Sequence, residues 1–141
     1  MFPTQYEDAL EEWVQVREQA NGLPLEESLH TIHDWWQQLP IVNHNLHIAD
    51  YKDWPSPWDL LADNNHCEVA KALQMCYTLL IIDRPEINSM NLICDDNYTY
   101  IQILTHDKEY VLNDQPGNIT ADLTEVRVLH TIDCDYFRTK I

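Results

Sequence analysis

Residues 66–82, HCEVAKALQMCYTLLII, constrain the fold more than any other run in the chain. Val69, Ala70, Leu73, Cys76, Tyr77 and Leu80 recur at helical spacing and form a wide apolar face, while Ala72, Leu79 and Ile81 add apolar character on other sides. A helix apolar on more than one side has no face to give to water, so it is predicted at the centre of its domain. Ahead of it lies an aromatic loop, ADYKDWPSPW, in which Pro55 and Pro57 fix their own backbone angles and push Trp54 and Ser56 towards extended conformations. Pro57 also suits the first turn of a short helix over 58–62, and Asn64 or Asn65 can cap the long one.

The rest of the chain arranges itself around that helix. Residues 4–20 read as a helix, with Thr4 and Glu7 matching a capping box and Tyr6, Leu10, Trp13 and Val14 at helical spacing. Asn21-Gly22-Leu23-Pro24 ends it. A second helix over 25–39 places Leu25, Leu29, Ile32 and Trp36 on one stripe and stops at Pro40, so the two form a hairpin. In 41–48 the alternation of Val42, His44, Leu46 and Ile48 suits a short strand or an extended crossing segment. After Asp83-Arg84-Pro85 the period becomes that of strands, over 87–94, 98–105 and 109–112. The polar connections Asp95-Asp96-Asn97 and His106-Asp107-Lys108 make these an antiparallel meander. Gln115-Pro116-Gly117-Asn118 is a turn, and 126–132, with Val126, Val128, His130 and Ile132 alternating, is a fourth strand. Helices first and strands afterwards predict an α+β fold: an N-terminal helical hairpin and a central buried helix on a small antiparallel sheet of about four strands. Neither side of 49–53 or 83–86 holds enough core to stand alone, so residues 1–141 are expected to be one domain.

Charge narrows the partners. With 24 acidic against 8 basic residues the net charge is −16, which argues against binding a phosphate backbone, because that binding relies on Lys and Arg displacing counterions. The partners expected are other proteins with basic surfaces. The carboxylates come in short groups, such as Glu7, Asp8, Glu11 and Glu12, or Asp95 and Asp96. A DNA-mimic inhibitor would need them in regular rows on one face. There is no phosphate loop, nucleotide fingerprint or zinc-type cysteine ladder, so no cofactor is expected. No apolar run approaches the roughly 20 residues a membrane span requires. The start MFPTQYEDALEEW lacks the basic and apolar regions of a secretory signal. Synthesis in a reducing cytoplasm is therefore expected, with Cys67, Cys76, Cys94 and Cys134 as buried thiols rather than a disulfide framework.

Cys67 follows closely on a candidate helix cap, where unpaired N–H groups and the helix dipole favour a thiolate. A cysteine nucleophile would also need a histidine within hydrogen-bond reach and a residue to orient it. His66-Cys67-Glu68-x-Ala70 on an apolar helix, and Tyr110-Val111-Leu112-Asn113-Asp114 ending a strand, resemble the cysteine-bearing helix and the aspartate-bearing strand of transglutaminase-like cysteine peptidases. The resemblance spans roughly residues 54–114. It implies a peptidase or acyltransferase whose histidine would stand near residues 97–100, where this chain has none. His106 is the nearest, in the turn before Glu109, so the catalytic set that the resemblance allows is Cys67, His106 and Asp114.

The remaining candidates are histidines and tryptophans. His30 and His33 share a helix face and His44 and His47 follow, yet no Cys or carboxylate cluster completes a metal set at a familiar spacing, and no metal site is expected. Trp36 and Trp58 are expected mainly in the core. Trp35, about 100° around the helix from Trp36, and Trp54, in the loop, are candidates for exposed anchors. Trp35, Trp54 and Trp58 form the candidate interface set. The WPSPW loop, helix and small sheet also resemble small bacteriophage proteins, particularly virion structural, head-to-tail and tail components. The leading expectation is accordingly a non-enzymatic acidic protein docked in a multi-subunit assembly, made in the cytoplasm and carried into a virion. The alternative is a transglutaminase-like cysteine peptidase or acyltransferase using Cys67.

Overall fold

The computed structural model describes residues 2–40, 46–63, 66–95, 98–113, 119 and 128–141. It is an α+β fold, with helices α1 (Tyr6–Asn21), α2 (Leu25–Gln37), α3 (Pro57–Asp63) and α4 (Glu68–Ile82) preceding strands β1 (Ile87–Cys94), β2 (Thr99–Thr105), β3 (Glu109–Leu112) and β4 (His130–Asp133). Two 3-10 segments complete the order, Ile48–Asp53 between α2 and α3 and Cys134–Lys140 after β4. The sheet runs β3-β2-β1-β4, antiparallel throughout.

α4 is the centre of the molecule, buried from Ala70 to Leu80 and in contact with α1, α2, α3, β1, β2 and the C-terminal 3-10 segment. Its all-round apolar pattern has this cause. Two of its polar side chains, Thr78 and Tyr77, are tied down. Thr78 Oγ1 accepts hydrogen bonds from the indole N–H of both Trp13 and Trp36, each at 3.0 Å, and donates to Gln74 O at 2.7 Å. Tyr77 donates to Pro55 O at 2.7 Å, which fastens the proline loop to the helix. Across the sheet, Ile132, Leu92, Ile101 and Leu112 pair in one row, and all four belong to the core that contains α4. Ile93, Tyr100 and Val111 form a small separate cluster, so the centre of the sheet is apolar on both faces.

Several expectations need correction. α1 starts at Tyr6 with Gln5 as N-cap and no side-chain cap, so the Thr4–Glu7 capping box does not form. Thr4 stands one residue too early for it. Ile48 opens a 3-10 turn rather than ending a strand, and residues 41–45 lie outside the described set. The fourth strand is His130–Asp133; Val128 precedes it and is 48% exposed. Residues 126 and 127, the turn at 115–118 and the caps Asn64 and Asn65 lie outside the described residues. Cys67 itself is the N-cap of α4, in extended conformation and without a side-chain cap bond.

Candidate functional site: a cleft at the amino end of the central helix

The amino end of α4 meets the end of β1, the start of β2 and the residue after β3. Asn113, just past β3, holds these together. Its backbone is left-handed (φ 68°), a conformation asparagine tolerates better than most residues. Its amide Nδ2 donates to Thr99 O at 2.9 Å and Glu68 O at 3.3 Å, and its Oδ1 accepts from Gln37 Nε2 at 3.0 Å. Gln37 Nε2 is also 3.3 Å from His33 Nε2, which assigns His33 the tautomer protonated on Nδ1. That Nδ1 is 3.5 Å from Asp34 Oδ1, too long for a good hydrogen bond. Burial lowers the His33 pKa, against the pull of Asp34.

Cys67 is 2% exposed at this junction. Thr99 opens β2 where the peptidase resemblance calls for a histidine; it is buried, with its hydroxyl 3.6 Å from Cys94 Sγ. His66, beside Cys67 in sequence, is engaged elsewhere. Gln74 Nε2 donates to Pro57 O at 3.1 Å and lies 3.3 Å from His66 Nε2, so that nitrogen accepts and the proton sits on Nδ1, which has no partner among the described residues. Burial holds the His66 pKa down at about 4, and the ring is neutral near pH 7.

Of the set Cys67, His106 and Asp114, the fold does not bring His106 to Cys67. His106 is exposed and follows the far end of β2, about 23 Å from Thr99 at the usual strand rise. Asp114 lies outside the described residues. Of the four histidines weighed for a metal, His33 is interior, His47 is exposed and His44 is not described; no group of three or more His, Cys, Asp or Glu that could hold a metal ion occurs among the described residues.

The tryptophans also depart from expectation. Trp35 and Trp54 are 5% and 4% exposed, so neither ring is presented to solvent. Trp35 packs on Phe2 at 4.6 Å and donates to Glu12 Oε1 at 2.7 Å. Trp54 stacks on Phe137 at 5.7 Å with the planes 3° apart, and donates to His47 O. Trp58 is half-buried, edge-on to Trp13.

A cleft of about 380 Å³ opens beside this junction, and Cys67 does not line it. Leu46, Ile48, Val69 and Leu129 form apolar walls, and Glu68, Asp95, His47 and His130 bring charge or polarity, with Cys94 and Thr99 between them. Asp95 is held in place by Tyr98 N, donating at 2.6 Å, and Tyr100 Oη, donating at 3.1 Å. Burial pushes the Glu68 carboxyl up to about 7; Asp95 adds to the shift and Lys71 opposes it. Lys71, one turn along α4, is 2% exposed, and burial lowers its pKa in turn. Thr99, Gln37 and Lys71 carry no signal in the sequence, and Glu68 stands only as a neighbour of Cys67 in the helix fragment. Asn113 likewise stands inside the strand-end fragment.

Comparison with known proteins bears on the fold. No family model and no curated protein matches the chain. Two solved structures of Legionella pneumophila LapG match, each with TM-score 0.65 and 11% identity over 86% of this chain. The match covers 72% of LapG in one structure and 70% in the other, which was EGTA-treated. LapG is a transglutaminase-like cysteine protease. At this identity the likeness is one of architecture: the chain shares its α+β fold with the LapG structures.

Proposed function

We propose that this chain is a non-catalytic binding protein on a transglutaminase-like fold, docked in a larger assembly through a partner with a basic surface. One observation carries the reading. At the strand end where the resemblance places a histidine stands Thr99, whose carbonyl accepts from Asn113 Nδ2; Asn113 also donates to the α4 backbone at Glu68 O, and Cys67 is buried beside them. A thiol nucleophile needs a base within hydrogen-bond reach and a path for substrate. The net charge of −16 sets the sign of the partner. Among the described residues the exposed carboxylates stand on α1, α2, α3, both 3-10 segments, the α4–β1 connection, the β2–β3 turn and β4, which gives no support to DNA mimicry by one regular row. The finer assignment, a bacteriophage virion component of the head-to-tail or tail region, rests on the likeness of the WPSPW loop and its helix. Purification of the native complex tests the reading. The chain is expected to co-purify in fixed ratio with a basic protein; a free monomer in every fraction would contradict it.

The second reading, a cysteine peptidase or acyltransferase using Cys67, is favoured by the fold shared with LapG. It requires an imidazole to reach the Cys67 sulfur when substrate binds. Hydrolysis of a peptide library that is lost in Cys67→Ala would establish it.

A further inference from the structure

We infer that the cleft at the amino end of α4 receives a single lysine or arginine side chain from the partner protein. This rests on the reading of the chain as a binding protein and gives the basic partner a place to dock. The cleft volume of about 380 Å³ lies at the low end of ligand sites and leaves room for one long side chain. Its walls and its charged part differ in kind. Leu46, Ile48, Val69 and Leu129 offer an apolar sleeve, which suits the methylene stem of a basic residue. Glu68 and Asp95 supply the charge for its head group.

The two carboxylates are unequally held. Asp95 is oriented by Tyr98 N and Tyr100 Oη before anything binds. No described residue hydrogen-bonds to the Glu68 carboxyl, although it is half-buried and close enough to Asp95 for the two to repel. A cation placed between them turns that repulsion into two attractions, and in a partly desolvated cleft such charge-assisted bonds are stronger than at an open surface. A divalent metal is the competing occupant, but the described residues assemble no group of three ligands for one. An isolated anion is disfavoured by both carboxylates.

The test is an amide chemical-shift titration of the whole chain with the peptide Gly-Gly-Lys-Gly-Gly and with its norleucine counterpart, which keeps the stem and removes the charge. Saturable shifts at Glu68, Val69 and Thr99 are expected with lysine, with binding at least about ten-fold weaker for norleucine. Glu68→Gln should weaken lysine binding at least about five-fold, and Leu129→Trp, which fills the sleeve from its exposed rim, should abolish it. Glu7→Gln with Asp8→Asn removes two charges from α1, which contributes nothing to the cleft, and should change affinity less than two-fold. Equal weakening by the α1 and Glu68 variants would mean only general attraction to an acidic surface and would overturn the inference, as would equal binding of norleucine. Loss of peptide binding in a chain that still co-purifies with its partner would refute the cleft alone. Peptidase activity dependent on Cys67 would refute the binding-protein reading instead.

Discussion

The middle of α4 and its amino end are both buried, but their polar groups are treated differently. In the middle, one threonine hydroxyl satisfies two indole donors and passes its own proton to the helix backbone, and Tyr77 finds a proline carbonyl. At the amino end, His66 keeps a proton on a nitrogen with no partner among the described residues, Glu68 faces another acid, and Lys71 is buried one turn away. Burying polar groups without full pairing costs stability, so such sites persist where something other than folding is served. The middle of the helix holds the fold together, and its amino end is where a ligand would act.

Substitutions separate the two regions. The largest loss belongs to the middle: Trp36→Ala empties a fully buried site beside Trp13 and should cost about 3–5 kcal/mol in a urea titration. Thr78→Val should follow at about 2–4 kcal/mol, because it leaves two buried indole N–H groups without an acceptor. A loss below about 1 kcal/mol would show that the hydroxyl is not the keystone its geometry suggests. Asn113→Ala removes the clamp at the amino end, takes a donor from the Thr99 and Glu68 carbonyls and the acceptor from Gln37, and puts alanine at positive φ. A loss of about 1–3 kcal/mol is expected, with the sheet intact by circular dichroism.

Smaller effects come from titration, and both lie at the amino end. The folded pKa of His66 is about 4, below its ordinary 6.5, so the unfolded chain binds more protons between those values. Its contribution is complete above pH 6.5 and is lost as the pH falls towards 4; His66→Phe should flatten the slope of stability against pH in that window. Glu68 runs the other way. Its folded pKa is raised from 4.5 to about 7, so the stability it contributes is present below pH 4.5 and lost as pH rises through 7. Glu68→Gln should therefore stabilise the protein relative to the parent at pH 8 and have little effect at pH 4, a sign that urea midpoints at the two values would check.

The same contrast explains what the sequence could disclose. Elements with an unbroken period were legible: α4 through its excess of apolar residues, and β1 to β3 because short polar turns separate them. Trp36 was placed correctly in the core by its stripe, but Trp35 was read as exposed on the assumption that α2 has one buried face. Phe2, from a segment with no periodicity, closes over Trp35. Trp54 was misjudged for a related reason, since Phe137, which stacks on it, sits in a C-terminal 3-10 segment with no helical signature. The clamp at Asn113 joins residues as distant in sequence as Gln37 and Thr99, and no local pattern encodes such a meeting.

Cys67 offers the most direct test of the binding-protein reading. The native chain is treated with iodoacetamide, and modification at each cysteine is followed over time by peptide mass spectrometry. A thiol 2% exposed and with no imidazole engaged among the described residues should react no faster than the equally buried Cys76 and Cys134, and all three should become labelled only as the protein unfolds. Rapid, selective alkylation of Cys67 in the folded chain would show an activated nucleophile with an open path to it, and would contradict a non-catalytic role.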